Sequence, residues 1–225
     1  MMLIASTTFV STRRHLSRHY NFGAIEFKYF INHVNKRYDG TKTSAKLTFH
    51  EDEHQKPENH RACNRKYRGI LKIRESSSGK GLGLFATKDF AIGDLVMSSR
   101  PVVTTKERSS HTVQIDWDRH ILMDLPATLV NHSCDANLGI QNNSNGVRDE
   151  DDGEEYFGAY DFYAIHPIRE GEELTWDYET SEWELSTFFQ CTCGSTKCRG
   201  FLRGFKQNAD MIRQQNGEYH AAYLK

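Results

Sequence analysis

Three cysteines fall within eight residues, Cys191, Cys193 and Cys198, in a C-x-C-x4-C pattern followed at once by Arg199 and Gly200. Neighbours this close seldom reach the Cβ geometry that a disulfide needs, so the pattern reads as thiolate ligands of a tetrahedral zinc. A closed structural site takes four ligands, and only Cys63 and Cys134 remain to supply the fourth. Cys134 is preferred, because it lies within the motif Asn131 to Asn137 inside the domain. Cys63 sits in a polar stretch and reads as a spare thiol. The expected metal set is therefore Cys134, Cys191, Cys193 and Cys198.

The chain has 225 residues, enough for one domain of roughly 100–200 residues with extensions. Its apolar runs are only a few residues long, well short of the ~18 needed to cross a bilayer. From Gly69 onward, short β-prone runs alternate with Gly and Ser turns. Leu84–Ala86, Leu95–Met97, Val102–Thr104, Val113–Ile115, Phe157–Ala164 and Leu174–Trp176 read as strands. Asp124–Val130 is expected to form one helical turn and Ser181–Phe189 a short helix. The acidic run Ser144–Glu155 reads as a solvated loop. Many short strands with few long helical periods predict a mostly β domain.

Composition matters here for its asymmetry. Residues 1–74 carry 15 Lys+Arg against 6 Asp+Glu, and residues 75–225 carry 14 against 24. The acidic part would steer a cationic partner by long-range attraction. The first 25 residues hold no acid and three arginines, Arg13, Arg14 and Arg18, with several Ser and Thr. They read either as a mitochondrial or plastid transit peptide or as a disordered basic arm. His50–Arg68 reads as a polar linker, which puts the domain boundary near Gly69.

Four motifs occur in order: Gly79–Ala86 (GKGLGLFA), Asn131–Asn137 (NHSCDAN), Gly171–Tyr178 (GEELTWDY) and the cysteine tail. In this order the chain resembles the SET-domain protein lysine methyltransferases with a post-SET zinc motif, from Ile70 to Phe205, about 60 % of its length. The resemblance implies a SET β-fold of short curved sheets with a knot-like core and a small zinc-bound post-SET segment. It divides the chain into a basic extension and linker (1–68), a SET catalytic domain (69–180), a post-SET segment (181–205) and a C-terminal tail (206–225). It implies S-adenosylmethionine as cofactor, zinc as structural metal, and the ε-amine of a protein lysine, on a histone or another protein, as methyl acceptor. Tyr178 is then the catalytic residue. Lys80, Gly81, Leu82, Asn131, His132, Tyr178, Phe201 and Leu202 are the expected cofactor contacts, with Gly81 and Gly83 allowing close backbone approach. Tyr160, Phe162 and Trp176, with Tyr163 beside them, are candidate walls of a dry lysine channel.

The departures carry information. Ala136 stands where the family usually has proline, Thr128 and Leu129 where it has an Arg-Phe pair, and Trp176 where it has Phe or Tyr. Only Cys63 lies upstream, so the cysteine-rich pre-SET module is missing from this stretch. Trp176 also motivates an alternative, a non-catalytic zinc-stabilised SET-fold interaction module whose channel the indole fills. The basic leader lacks the aromatic interleaving of a specific nucleic-acid reader, so specific nucleic-acid binding is not expected. The family's usual substrates favour the nucleus over an organelle.

Overall fold

The computed structural model describes residues 49–76, 80–143, 158–185 and 189–225, all within the compact unit Asp39–Lys225. The leader, the acidic run Ser144–Glu155 and Gly79 lie outside the described residues.

The described chain is mostly β. Its strands are β1 (Leu71–Glu75), β2 (Leu82–Ala86), β3 (Leu95–Ser98), β4 (Pro101–Thr105), β5 (Val113–Asp116), β6 (Arg119–Met123), β7 (Asn131–His132), β8 (Leu138–Asn142), β9 (Tyr160–Ala164), β10 (Glu173–Trp176), β11 (Phe189–Gln190) and β12 (Phe201–Leu202). The largest sheet runs β1-β2-β10-β8-β9-β3, with β7 also on β10. A second sheet is ordered β4-β6-β5, and β11 pairs with β12. β10 lies antiparallel to β2 but parallel to both β7 and β8, with Thr175 opposite Asn131 and Trp176 opposite His132. That register carries two distant sequence motifs to one place.

All six expected strands form, Phe157–Ala164 being shortened to Tyr160–Ala164 in the described residues. β1, β6 and β8, with the two-residue strands β7, β11 and β12, escaped the sequence reading. β8 carries Gly139, which ordinarily weakens a strand. Here a Cβ would come within 2.5 Å of the Tyr219 Cβ and 2.7 Å of Ile165, so the glycine admits the C-terminal segment against the sheet. The expected turn at Asp124–Val130 is a 3-10 turn at Ala127–Leu129. The helix expected over Ser181–Phe189 does not form in its described part, 181–185. Cross-chain bonds draw that backbone out instead, Trp183 N donating to the Gln114 side-chain oxygen (3.0 Å) and Leu185 N to the Arg203 carbonyl (2.9 Å).

The polar stretch His50–Arg68 is not a linker. Residues 50–55 are helical, and α1 (Pro57–Lys66) follows, with Pro57 and Glu58 in its first turn and Arg65 and Lys66 in its last, a charge order that suits the helix dipole. Its apolar face is faint because Cys63 is its one buried residue. Cys63 is thus a core side chain rather than a spare thiol, and burial pushes its thiol up to about 11. Asn64 fastens α1 to β1, donating to the Ile73 carbonyl (3.1 Å) and accepting from the Ile73 N–H (2.7 Å). The C-terminal residues are equally part of the core: α2 (Phe205–Asn216) buries Phe205 and Ile212, and Ala221 and Leu224 are buried beyond it.

Replacing Asn64 with alanine removes both bonds from a strand backbone and is expected to destabilise the fold by about 1–3 kcal/mol, read as a lower urea midpoint at unchanged slope.

Candidate active site and metal centre

The β11–β12 ladder and the end of β7 bring the four expected cysteines together. The Sγ atoms of Cys134, Cys191, Cys193 and Cys198 all lie within 4.8 Å of one another, and Cys134 and Cys191 are 3.7 Å apart. A tetrahedron with Zn–S bonds of ~2.3 Å has an edge of about 3.8 Å, so the spacing fits zinc. The chemistry fits as well: Arg199 N–H donates to Cys134 Sγ and Gly200 N–H to Cys198 Sγ, both at 3.4 Å, as thiolates require. Leu202, fully buried, packs on this cluster, whereas Phe201 next to it is 54 % exposed. The period-two alternation of a strand separates the two side chains.

Around Tyr178 the loop after β1 meets the β7 and β10 segments. Lys80 Nζ donates to the His132 carbonyl (2.9 Å), and Asn131 Nδ2 donates to the Leu82 carbonyl (3.0 Å) and to Glu173 Oε1 (2.8 Å). Gly81 takes a φ of 77° with open space about its Cα. Gly83 does something different: a Cβ there would sit 2.5 Å from Glu173 Oε1 and 3.0 Å from Asn131 Nδ2. Its missing side chain makes room for the Asn131–Glu173 bond.

Tyr178 opens a 3-10 turn directly after β10. Its hydroxyl donates to the Val130 carbonyl at 3.0 Å, and its ring lies 5.2 Å from both His132 and Trp176. Burial, with the Glu173 charge adding, holds the phenol well above its ordinary range, so it stays a protonated donor. His132 accepts from the Tyr178 N–H at Nδ1 (3.3 Å), which leaves the ring proton on Nε2, 3.3 Å from Cys134 Sγ. Trp176, 2 % exposed, meets Phe162 edge-on at 5.8 Å and Tyr160 at 6.4 Å. Tyr160, Phe162, Trp176 and Tyr178 therefore form one aromatic cluster. Tyr163 does not join it, because alternation along β9 turns it to the other face, against Tyr219 at 5.9 Å.

Three charged residues that sequence reading left without a role complete the site. Asp177 and Glu179 flank Tyr178 and are 1 % and 0 % exposed, and both face Arg199, at 2.5 and 2.7 Å. Glu179 also accepts from the backbone N–H groups of Arg203 and Gly204, each at 2.7 Å. Asn137 grips β10 from the other side, donating to the Glu173 carbonyl and accepting from Thr175 N–H, both at 2.9 Å. The signal for Asp177 and Arg199 was present, since each adjoins a residue singled out for chemistry, but nothing in one dimension pairs them.

The SET domain family model matches residues 81–179, the stretch that runs from this glycine loop to the Tyr178 turn. That stretch is a SET domain. The chain is 39 % identical over 88 residues to the H3 lysine-9 specific histone-lysine N-methyltransferase KMT1 of Fusarium mangiferae, covering 36 % of this chain and 24 % of that one. The H3 lysine-36 specific histone-lysine N-methyltransferase of Yarrowia lipolytica is 28 % identical over 182 residues, 73 % of this chain and 22 % of that one. The chain thus spans about a quarter of the length of these curated relatives. The solved structure of KRYPTONITE with mCHG DNA and SAH has a TM-score of 0.47 at 22 % identity, over 60 % of this chain and 29 % of that one. Among the described residues, no helix is long and apolar enough to cross a membrane.

Two outcomes follow for the SET domain and its cysteine loop. Arg199→Ala leaves two buried carboxylates without their cation and is expected to destabilise the fold by about 3–5 kcal/mol, with Arg199→Lys recovering part of it, by chemical denaturation. Elemental analysis of the purified protein is expected to find one zinc per chain, and Cys191→Ser to lower that content together with the melting temperature.

Proposed function

We propose that the chain is an S-adenosylmethionine-dependent protein-lysine N-methyltransferase. The observation that carries this is the Tyr178 hydroxyl, held on the Val130 carbonyl at the end of an aromatic cluster and within one hydrogen-bonded frame with Asn131, His132 and the Lys80–Leu82 loop. S-adenosylmethionine supplies an electrophilic methyl group on a sulfonium. Methyl transfer to an amine is an in-line displacement, so the protein's task is alignment and stabilisation of migrating charge rather than proton transfer. Lys80, Gly81, Leu82, Asn131 and His132 are the residues that would hold the cofactor, with the exposed Phe201 covering it. Leu202 supports Phe201 from within the cysteine cluster.

The acceptor amine must be neutral. Deprotonating a lysine of ordinary pKa near 10.4 at pH 7 costs roughly 4–5 kcal/mol, and an apolar channel lowers that by disfavouring the cation. Tyr160, Phe162 and Trp176, each at most 2 % exposed, supply such walls. The substrate is a lysine-bearing protein. Histones head the candidates because the relatives are named for histone H3 lysines, and a histone substrate places the enzyme in the nucleus.

The indole of Trp176, packed on both Phe162 and Tyr178, favours the second reading, a SET-fold interaction module without turnover. Labelled methyl transfer from S-adenosylmethionine to core histones and to a cell lysate separates the two. Tyr178→Phe is expected to lower the rate by about 100-fold or more while S-adenosylmethionine affinity changes only a few-fold. Transfer equal in wild type and variant overturns the role of Tyr178. Cofactor binding with no transfer to either substrate favours the interaction module.

A further inference from the structure

A cavity of about 330 Å³ opens between the β5–β6 hairpin and the segment that follows Tyr178. It shares Gln114 with the channel wall, for the Gln114 carbonyl accepts the Tyr160 hydroxyl at 2.5 Å while its side-chain oxygen accepts the Trp183 N–H at 3.0 Å. Trp117 and Trp183 line it, their rings edge to face at 5.3 Å, and Trp117 is 58 % exposed although it also meets Tyr223 at 5.2 Å. An indole left this open is a surface waiting for contact rather than core.

The polar lining is unbalanced. His120 is 4 % exposed, and among the described residues neither of its ring nitrogens has a hydrogen-bond partner. Burial, with the Arg108 charge adding, holds it down to about 4, so at neutral pH it offers one donor and one acceptor. Orphaned buried nitrogens are costly, and His120 is part of the cavity lining. Both acids of the lining already hold lysines, Asp118 with Lys106 at 3.1 Å and Glu184 with Lys206 at 2.7 Å. Glu182 behind them is occupied by the Gln114 N–H at 2.7 Å. Arg108 donates to the Glu184 backbone carbonyl and lies within electrostatic reach of Glu182 and Glu184, with no carboxylate in ion-pair contact among the described residues.

We propose that this cavity is a substrate subsite that takes an acidic side chain, Asp or Glu, a few residues along the chain from the target lysine. The inference rests on the methyltransferase reading above. A carboxylate there accepts from the Arg108 guanidinium and supplies the partner His120 lacks, while the stem of the side chain and the adjoining peptide lie on Trp117 and Trp183. Paired indoles also suit a methylated ammonium, but such a cation would sit beside Arg108 and Lys106, with Asp118 and Glu184 already paired to lysines. Because Gln114 of the cavity lining bonds directly to Tyr160 of the channel wall, the acid and the lysine belong to one short extended segment.

The test uses the full chain, wild type and Arg108→Ala, against lysine peptides in which one Glu or its Gln counterpart is walked from four residues before to four residues after the lysine. Labelled methyl transfer and Trp fluorescence titration are both read, with one trimethyl-lysine peptide as a further ligand and Trp117→Phe as a second variant that keeps an aromatic ring. A single Glu position is expected to raise kcat/KM about tenfold over Gln in the wild type. Arg108→Ala is expected to erase that gain, so that the Glu and Gln peptides are turned over alike. Transfer without a Glu-dependent position overturns the subsite and leaves the methyltransferase reading standing. Glu-dependent binding with no transfer supports the subsite and overturns that reading. Binding of the trimethyl-lysine peptide in preference to the Glu peptides, or no Glu dependence in either readout, overturns the subsite.

Discussion

Glu179 is wholly buried, and every group described as answering its carboxylate comes from one short stretch of chain: Arg199, the N–H groups of Arg203 and Gly204, and the Asn208 amide. A buried carboxylate is tolerated only with such a set, because desolvation exceeds what one partner returns. The consequence is mechanical. Asp177 and Glu179 bracket Tyr178, so the turn that aims the phenol is held by the same arginine that follows Cys198. On the opposite side His132 spans from the Tyr178 backbone N–H to Cys134 Sγ. The cysteine cluster and the tyrosine are thereby parts of one polar frame.

That frame explains why so few residues suffice. β10 contributes Glu173 to the glycine loop, Trp176 to the aromatic cluster and, one residue beyond its end, Asp177 to Arg199. Its parallel neighbour β7 contributes Asn131 and His132, and Asn137 clasps its backbone from beyond β7. An aromatic cluster behind Tyr178 excludes water from one side, and the hairpin that closes the cluster through Gln114 presents a separate polar cavity. The aromatic cluster and that cavity are thus joined through one residue, Gln114.

Much of this was legible in the residues. The C-x-C-x4-C spacing with Cys134 announced the metal cluster, because thiolates that close have few other uses. The Gly-punctuated β-prone runs announced the strands. The helix at Pro57–Lys66 was hidden because one cysteine carries its buried face, and its anchor is Asn64 on a strand edge, which has no periodic signature. Gly83 was read as allowing close backbone approach and Gly139 was not singled out, yet each makes room for another side chain to come close. Tyr163 and Leu202 were grouped with Phe162 and Phe201 by adjacency, although a strand sends neighbours to opposite faces.

By itself the sequence determined chemistry that is local or carried by spacing: four thiols fit for zinc, a tyrosine at the end of an apolar strand, a mostly β chain and a basic leader ahead of an acidic domain. Only the tertiary structure decided which charges meet. Arg199 reaches Asp177 and Glu179 across some twenty residues of chain, and Lys80 reaches the His132 carbonyl across more than fifty. Such pairings depend on strand register and on burial that removes competing water, and neither is written into any single stretch of sequence.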